Sequence, residues 1–143
     1  MASTLKDLEQ VTSDFFKKYL PHLEVPQWSE KWEFKGGIPQ GDKRGCYAWF
    51  TNDGKLTYIG LGIGKNSGRY EGNGLGQRLN NYFKWTKKYT EDGKKIYEQT
   101  KEDVDYIRTL VFPEDEFYMA AAFEIYAITN LNGLINKTHN IRK

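Results

Sequence analysis

The chain has 143 residues, of which 38% are hydrophobic and 28% charged, with a formal net charge of +2. That is a single-domain length, and the composition excludes collagen-like repeats, low-complexity disorder and a multi-span membrane protein. No apolar run approaches the roughly 18–20 residues of a bilayer span, and Met1 to Phe16 alternates charged and single apolar residues, so no membrane partner is expected and the expected setting is cytoplasmic.

Leu5, Leu8, Val11, Phe15, Phe16, Tyr19 and Leu20 recur at helical spacing, which predicts a helix over Leu5 to Leu20 capped by Ser3 or Thr4. Pro21 ends it and Pro26 keeps the next stretch extended. Trp28, Trp32 and Phe34 are spaced for one side of a turn or short helix that packs onto the main body. Residues 1–40 are therefore taken as an N-terminal helical arm, too short to hold a core of its own, and residues 41–143 as the main domain. Cys46-Tyr47-Ala48-Trp49-Phe50 reads as a strand, Asn52-Asp53-Gly54-Lys55 as a turn, and Leu56-Thr57-Tyr58-Ile59 as the second strand of a hairpin. A loop with Gly60, Gly62, Gly64, Gly68, Gly72, Gly74 and Gly76 follows, then helical spacing at Leu75, Leu79, Tyr82 and Phe83. Lys84 to Lys101 holds six lysines and an Asp92-Gly93 turn, and reads as a solvated basic connection. Val104, Tyr106, Leu110 and Phe112 mark a third strand. Pro113 with Glu114, Asp115 and Glu116 reads as a helix start, acidic at its positive dipole end. Phe117, Ala120, Ala121, Glu124, Ile128 and Leu131 share one helical face, stopped by Asn132-Gly133.

Cys46 is the only cysteine, which excludes an internal disulfide and a cysteine-based zinc site; a buried strand position suits it best. His22 and His139 lack ligand spacing. Glu124 is the most informative residue. A carboxylate on an apolar stripe is costly unless paired, protonated or metal-bound, whereas a small shift of phase leaves it at the stripe's edge in solvent. The glycine-rich loop has neither the dinucleotide spacing nor the Ser or Thr that follows the lysine of a phosphate loop, so a nucleotide pocket is rejected. The loop is either a flexible insertion or a close approach to a phosphate backbone. Arg69, Arg78 and Lys84 are candidate phosphate contacts, and Arg78 is mounted on the predicted helix. The lysine run is a solvated face or a source of sequence-independent phosphate affinity.

Gly45-Cys46-Tyr47, followed by Tyr58-Ile59-Gly60, resembles the paired signature of the GIY-YIG nuclease superfamily. Arg78-Leu79-Asn80-Asn81-Tyr82-Phe83 is similar to the arginine helix in the N-terminal nuclease domain of the bacterial excision-repair incision subunit. The resemblance continues through Asp105-Tyr106-Ile107, the helix bearing Glu124, and Asn136 after Leu134-Ile135, covering about Gly45 to Asn140. It implies an α+β fold, a small three-stranded antiparallel sheet flanked by helices. It also implies a DNA endonuclease that depends on one divalent cation, magnesium or manganese. Carried over, Glu124 is the metal ligand, Arg78 the clamp on the scissile phosphate, and Tyr47 and Tyr58 the proton-handling or water-positioning groups. Tyr82 matches a further site tyrosine and Asn136 a closing asparagine, read as a bracket and grouped with Lys65, Arg69 and Lys84 on the DNA side.

The chain departs from the family at Cys46, where Ile or Val is usual, and at Leu61, where many members carry a lysine that Lys65 would replace. About ten extra residues precede the arginine helix, so Arg69 has the ordinary family spacing and rivals Arg78. The competing readings are a degenerate module that binds nucleic acid without cutting, and an interaction subunit of a repair or restriction complex. The resemblance leaves open whether the chain acts as a monomer, a dimer or part of a larger complex.

Overall fold

The computed structural model describes residues 2–64 and 74–140. Lys65 and Arg69, both candidate DNA contacts, lie outside the described residues. The fold is α+β, with three helices and a three-stranded antiparallel sheet among the described residues: α1 (Leu5–Tyr19), β1 (Gly45–Phe50), β2 (Leu56–Gly62), α2 (Leu75–Tyr82), β3 (Trp85–Tyr89), β4 (Lys95–Tyr97), β5 (Tyr106–Val111) and α3 (Met119–Asn130). No described helix is long and apolar enough to cross a membrane.

The central strand is β1, which pairs with β2 (Tyr47 opposite Gly60, Trp49 opposite Tyr58) and with β5 (Tyr47 opposite Thr109, Trp49 opposite Ile107). Alternation along β1 splits the core in two. Cys46, Ala48 and Phe50 face α1 and α3, where they join Phe15, Phe16, Phe123 and Ala127. Tyr47 and Trp49 face α2, where they join Leu75, Leu79, Phe83 and Ile107. All six residues of β1 are buried, as befits a middle strand covered on both faces.

Thr4 caps α1 through a capping box. Its backbone N–H donates to Asp7 Oδ2 at 2.9 Å, and the Asp7 N–H donates to its hydroxyl. Residues 28–35 are not helical. Trp32 exchanges backbone hydrogen bonds with Ile107 at 2.8 and 2.9 Å, and the Ser29 N–H donates to the Thr109 carbonyl at 2.8 Å, so residues 29–32 run along the outer edge of β5, and Phe34 turns away at a positive φ of 66°. Alternation explains the difference, since Trp32 and Phe34 are buried while Lys31, Glu33 and Lys35 are exposed, a period of two.

The basic stretch 84–101 is also more than a connection. It folds into an antiparallel hairpin, β3 with β4, whose turn contains Gly93 at a positive φ of 84°. Its lysines stay solvated, and the ladder tolerates them because they project from the faces of the hairpin into water. At the acidic end of α3, Glu114–Glu116 form a separate 3₁₀ turn, and the α-helix starts only at Met119. Phe117 therefore stands before the helix rather than on its stripe.

Two glycines of β1 and β2 are required by close approach. A Cβ on Gly45 would stand 1.9 Å from the Leu110 carbonyl oxygen, and one on Gly60 would stand 2.1 Å from the Tyr47 ring. The Tyr47 phenol lies across Gly60, which only a residue without a side chain allows.

Candidate functional site

At the outer edge of β2 the two faces of the sheet meet in a cavity of about 660 Å³. Its wall includes Trp49 and Tyr58 from the sheet, Arg78 and Tyr82 from α2, Lys101 from the end of the hairpin, Glu124 and Ile128 from α3, and Asn136, Lys137 and His139 from the segment after α3. Five residues singled out in the sequence, Tyr58, Arg78, Tyr82, Glu124 and Asn136, thus share one wall despite spanning 58 to 136 in the chain.

Glu124 reaches the wall because of the phase of α3. The inward face of that helix is centred on Ala120, Phe123 and Ala127, all buried, so Glu124 sits on its flank, half-buried beside Ile128. Neither sequence alternative is complete: the carboxylate faces neither core nor open solvent but a cavity. Burial raises its pKa above the ordinary 4.5, and His139 and Arg78 oppose that shift. Among the described residues no salt bridge engages it, so its oxygens remain available.

Arg78 is exposed on α2, and its Nη2 donates to the Tyr82 hydroxyl at 3.0 Å. The guanidinium also lies 4.9 Å from the Tyr82 ring centroid. The spacing of four residues puts both on one helix face, and the phenol fixes one side of the fork, which forms no salt bridge among the described residues.

Tyr47 is a different case. It is fully buried behind the wall, its ring 6.2 Å from that of Tyr58 and 6.4 Å from that of Tyr82. Its hydroxyl has no hydrogen-bond partner among the described residues. Burial pushes its pKa far above the usual tyrosine range, with Tyr58 and Tyr82 adding to the effect; Arg78 opposes it, although the Arg78 hydrogen bond goes to Tyr82. Tyr58 is only half-buried and faces the cavity. Burial, then Tyr82 and Glu124, raise it above 10.0, and Arg78 again opposes.

Asn136 is a bracket. Its amide accepts from the Ile59 N–H at 3.0 Å and donates to the Ile59 carbonyl at 2.8 Å, and the neighbouring Ile135 N–H donates to Thr57 at 2.7 Å. One side chain thereby imitates a paired strand along the free edge of β2. Those bonds use the amide edge that a DNA contact would need. Lys84 is exposed at the foot of β3 and is not part of the wall.

Sequence reasoning missed Lys101, Lys137 and His139. His139 lacks a ligand-spaced partner in the sequence, but Glu124 and His139 face one cavity across 15 positions of chain. Its positive φ of 62° is the one local signal of an unusual turn there. Counting charges, Arg78, Lys101 and Lys137 face a single carboxylate, a balance suited to an anionic ligand. No cluster of three or more His, Cys, Asp or Glu that could form a protein-only metal cage exists among the described residues. One unpaired carboxylate in a roomy polar cavity does fit magnesium or manganese, which keeps several waters and binds through one or two carboxylates plus phosphate oxygens. Comparisons with protein families, curated proteins and solved structures return no match to this chain.

Proposed function

We propose that the chain is a divalent-cation-dependent DNA endonuclease of the GIY-YIG type. The observation that carries this reading is the convergence of Tyr58, Arg78, Tyr82 and Glu124 on one cavity whose other charged groups are cationic. Phosphodiester hydrolysis needs positive charge at the non-bridging oxygens, a positioned water opposite the leaving oxygen, and a dry, rigid surround. The Arg78 fork, steadied by Tyr82, supplies fixed charge for the phosphate. Glu124 is the residue that would hold magnesium or manganese, whose chemistry when bound is Lewis-acid charge on the same oxygens. Tyr58 presents its hydroxyl to the cavity and so orients the attacking water, while Tyr47 supports the Tyr58 and Tyr82 rings from behind. Asn136 keeps β2, and with it Tyr58, in register.

One observation favours the non-cutting alternative. Leu61, at the family's lysine position, packs against the α1–α3 core and offers the cavity no charge. Lys101 and Lys137 on the wall are the counterweight. Nicking of supercoiled plasmid with and without magnesium tests the reading. Cutting that needs the cation and disappears in Glu124→Gln, with DNA binding retained, is the expected result. Binding without cutting under magnesium and manganese alike would mean the degenerate reading is right.

A further inference from the structure

The β3–β4 hairpin has no role in the site just described, yet it grows out of the cavity wall. Tyr82 precedes its first strand and Lys101 follows its second, and both line the cavity. Its base is closed by the Thr100 hydroxyl donating to the Tyr82 carbonyl at 3.3 Å and the Glu98 N–H donating to the Lys84 carbonyl at 2.8 Å. An isolated two-stranded hairpin is marginal in water. This one is braced by a third extended segment: Lys35 bridges Ile96, the Gly36 N–H donates to Lys95 at 2.8 Å, and the Tyr97 N–H donates to Phe34 at 2.8 Å. Tyr97 packs edge-on against Trp32 with centroids 5.1 Å apart.

The braced platform presents rings and cations together. Trp85 and Tyr89 meet edge-on at 5.6 Å, and Lys95 Nζ stands 4.7 Å from the Trp85 centroid. Tyr89 is 56% exposed, among the most exposed large side chains described. Among the described residues Lys87, Lys88 and Lys95 form no salt bridge, whereas the turn acid Asp92 is already engaged by Lys94 at 3.7 Å. An exposed tyrosine ring, backed by a half-buried tryptophan and flanked by lysines, is the chemistry that holds a single strand: a base stacks on the ring while its phosphate meets a cation. A duplex hides its base faces and cannot use the rings. With five residues, β3 is about 17 Å long, enough to follow a strand for a few nucleotides beyond the cavity.

We propose that the hairpin is a binding site for single-stranded DNA leading away from the cavity. The DNA takes its assignment from the nuclease reading; the hairpin's affinity does not depend on cutting. The test is fluorescence anisotropy with a labelled single-stranded oligonucleotide and with the matching duplex, in EDTA, across a salt series. The proteins are wild type, Tyr89→Ala, and Lys87→Glu with Lys88→Glu, all checked for an unchanged circular-dichroism melt. Trp85→Phe, which keeps a ring in place, is the control against local unfolding.

The charge reversal is expected to weaken single-strand binding at least about tenfold and to flatten its salt dependence. Tyr89→Ala should weaken it by about fivefold or more at every salt concentration, and Trp85→Phe by much less. Duplex affinity should change less than single-strand affinity in each variant. Wild-type binding that all variants share, no single-strand binding by wild type, or equal losses for duplex and single strand would overturn the proposal. Plasmid nicking separates the two ideas. Normal nicking with hairpin-independent binding removes the hairpin site alone, whereas hairpin-dependent binding without nicking under any divalent cation removes the nuclease reading alone.

Discussion

On the α1–α3 side of the sheet, Phe15, Phe16, Phe112 and Phe123 interlock at centroid distances of 5.3–5.9 Å. Two polar groups buried with them find partners: the Trp28 indole donates to the Thr12 hydroxyl at 2.9 Å, and that hydroxyl donates to the Leu8 carbonyl at 2.6 Å. Arg108 Nε, beside Phe50 and Tyr106, is instead buried without a hydrogen bond among the described residues. On the α2 side, the corresponding rings are Tyr47, Trp49, Tyr58 and Tyr82, and the Tyr47 hydroxyl and Trp49 indole N–H are buried without partners. A phenylalanine core asks nothing of its surroundings beyond shape, whereas tyrosine and tryptophan carry polar ends that must be satisfied or tolerated. One face is therefore closed mainly by apolar rings. The other sets two polar ring ends, without partners among the described residues, beside a cavity.

The largest effect expected is on the first face. Phe123→Ala should cost about 3–5 kcal/mol, read as a shift of the urea midpoint, because the rings of Phe15, Trp28 and Phe112 cannot collapse into the void. A loss below about 1 kcal/mol would break the comparison by showing that this face is loosely packed. Arg78→Ala should do the reverse: a fall in nicking rate of about a hundredfold or more, with stability within about 0.5 kcal/mol of wild type. A milder loss than in Arg69→Ala would make Arg69 the site arginine.

Asn136→Ala falls between the two, costing about 1–3 kcal/mol by leaving the Ile59 N–H and carbonyl unpaired, with activity falling in step. Tyr47→Phe removes an unpartnered hydroxyl and should stabilise the protein by about 1 kcal/mol or leave it unchanged, and should leave most of the nicking rate intact. Tyr58→Phe should lower the rate instead. In wild type the pH–rate profile should show no plateau below 10.0, because burial raises Tyr58 above that value. Loss of activity in Tyr47→Phe alone would make the buried hydroxyl the proton acceptor.

The smallest effect sharpens the idea of a site bought at the expense of stability. Glu124 has a raised pKa, so the folded state holds its proton more tightly than the unfolded chain does. Below 4.5 both states are protonated and no penalty exists; as pH rises, ionisation penalises the folded state, fully so above the raised value. In metal-free buffer at neutral pH, Glu124→Gln should therefore be slightly more stable than wild type, the gain being limited by solvent screening of a half-buried group. Calorimetry should find that gain vanishing in acid.

Local periodicity made much of this legible in the sequence. The β1–β2 hairpin announced itself by Asn52-Asp53-Gly54, and α1 by its stripe and its cap. Glu124 stood out because a carboxylate interrupted apolar neighbours. What escaped notice depends on contacts remote in sequence. Trp32 pairs with Ile107, and Phe34, at a positive φ of 66°, accepts from the Tyr97 N–H, pairings that no local pattern declares. The lysines of β3 and β4 disfavour a strand by propensity, and the brace from residues 34–36 overrides them. His139 and Lys101 acquire meaning only when the chain folds them onto the wall that holds Glu124.

The edges of the sheet have a consequence for how the chain reaches its working form. Ser3 is bridged to Leu56, and its hydroxyl donates to the Asn132 carbonyl at 2.8 Å across 129 positions; Ile59 and Asn136 meet across 77. Each closure joins segments that are among the most widely separated in the chain, so each must await the slow search that distant contacts require. The wall draws on residues from Trp49 to His139, and no single stretch of sequence contains enough of it to bind a phosphate. A half-formed chain therefore lacks the assembled wall, and the proposed nicking activity should return during refolding with the last structural phase rather than before it.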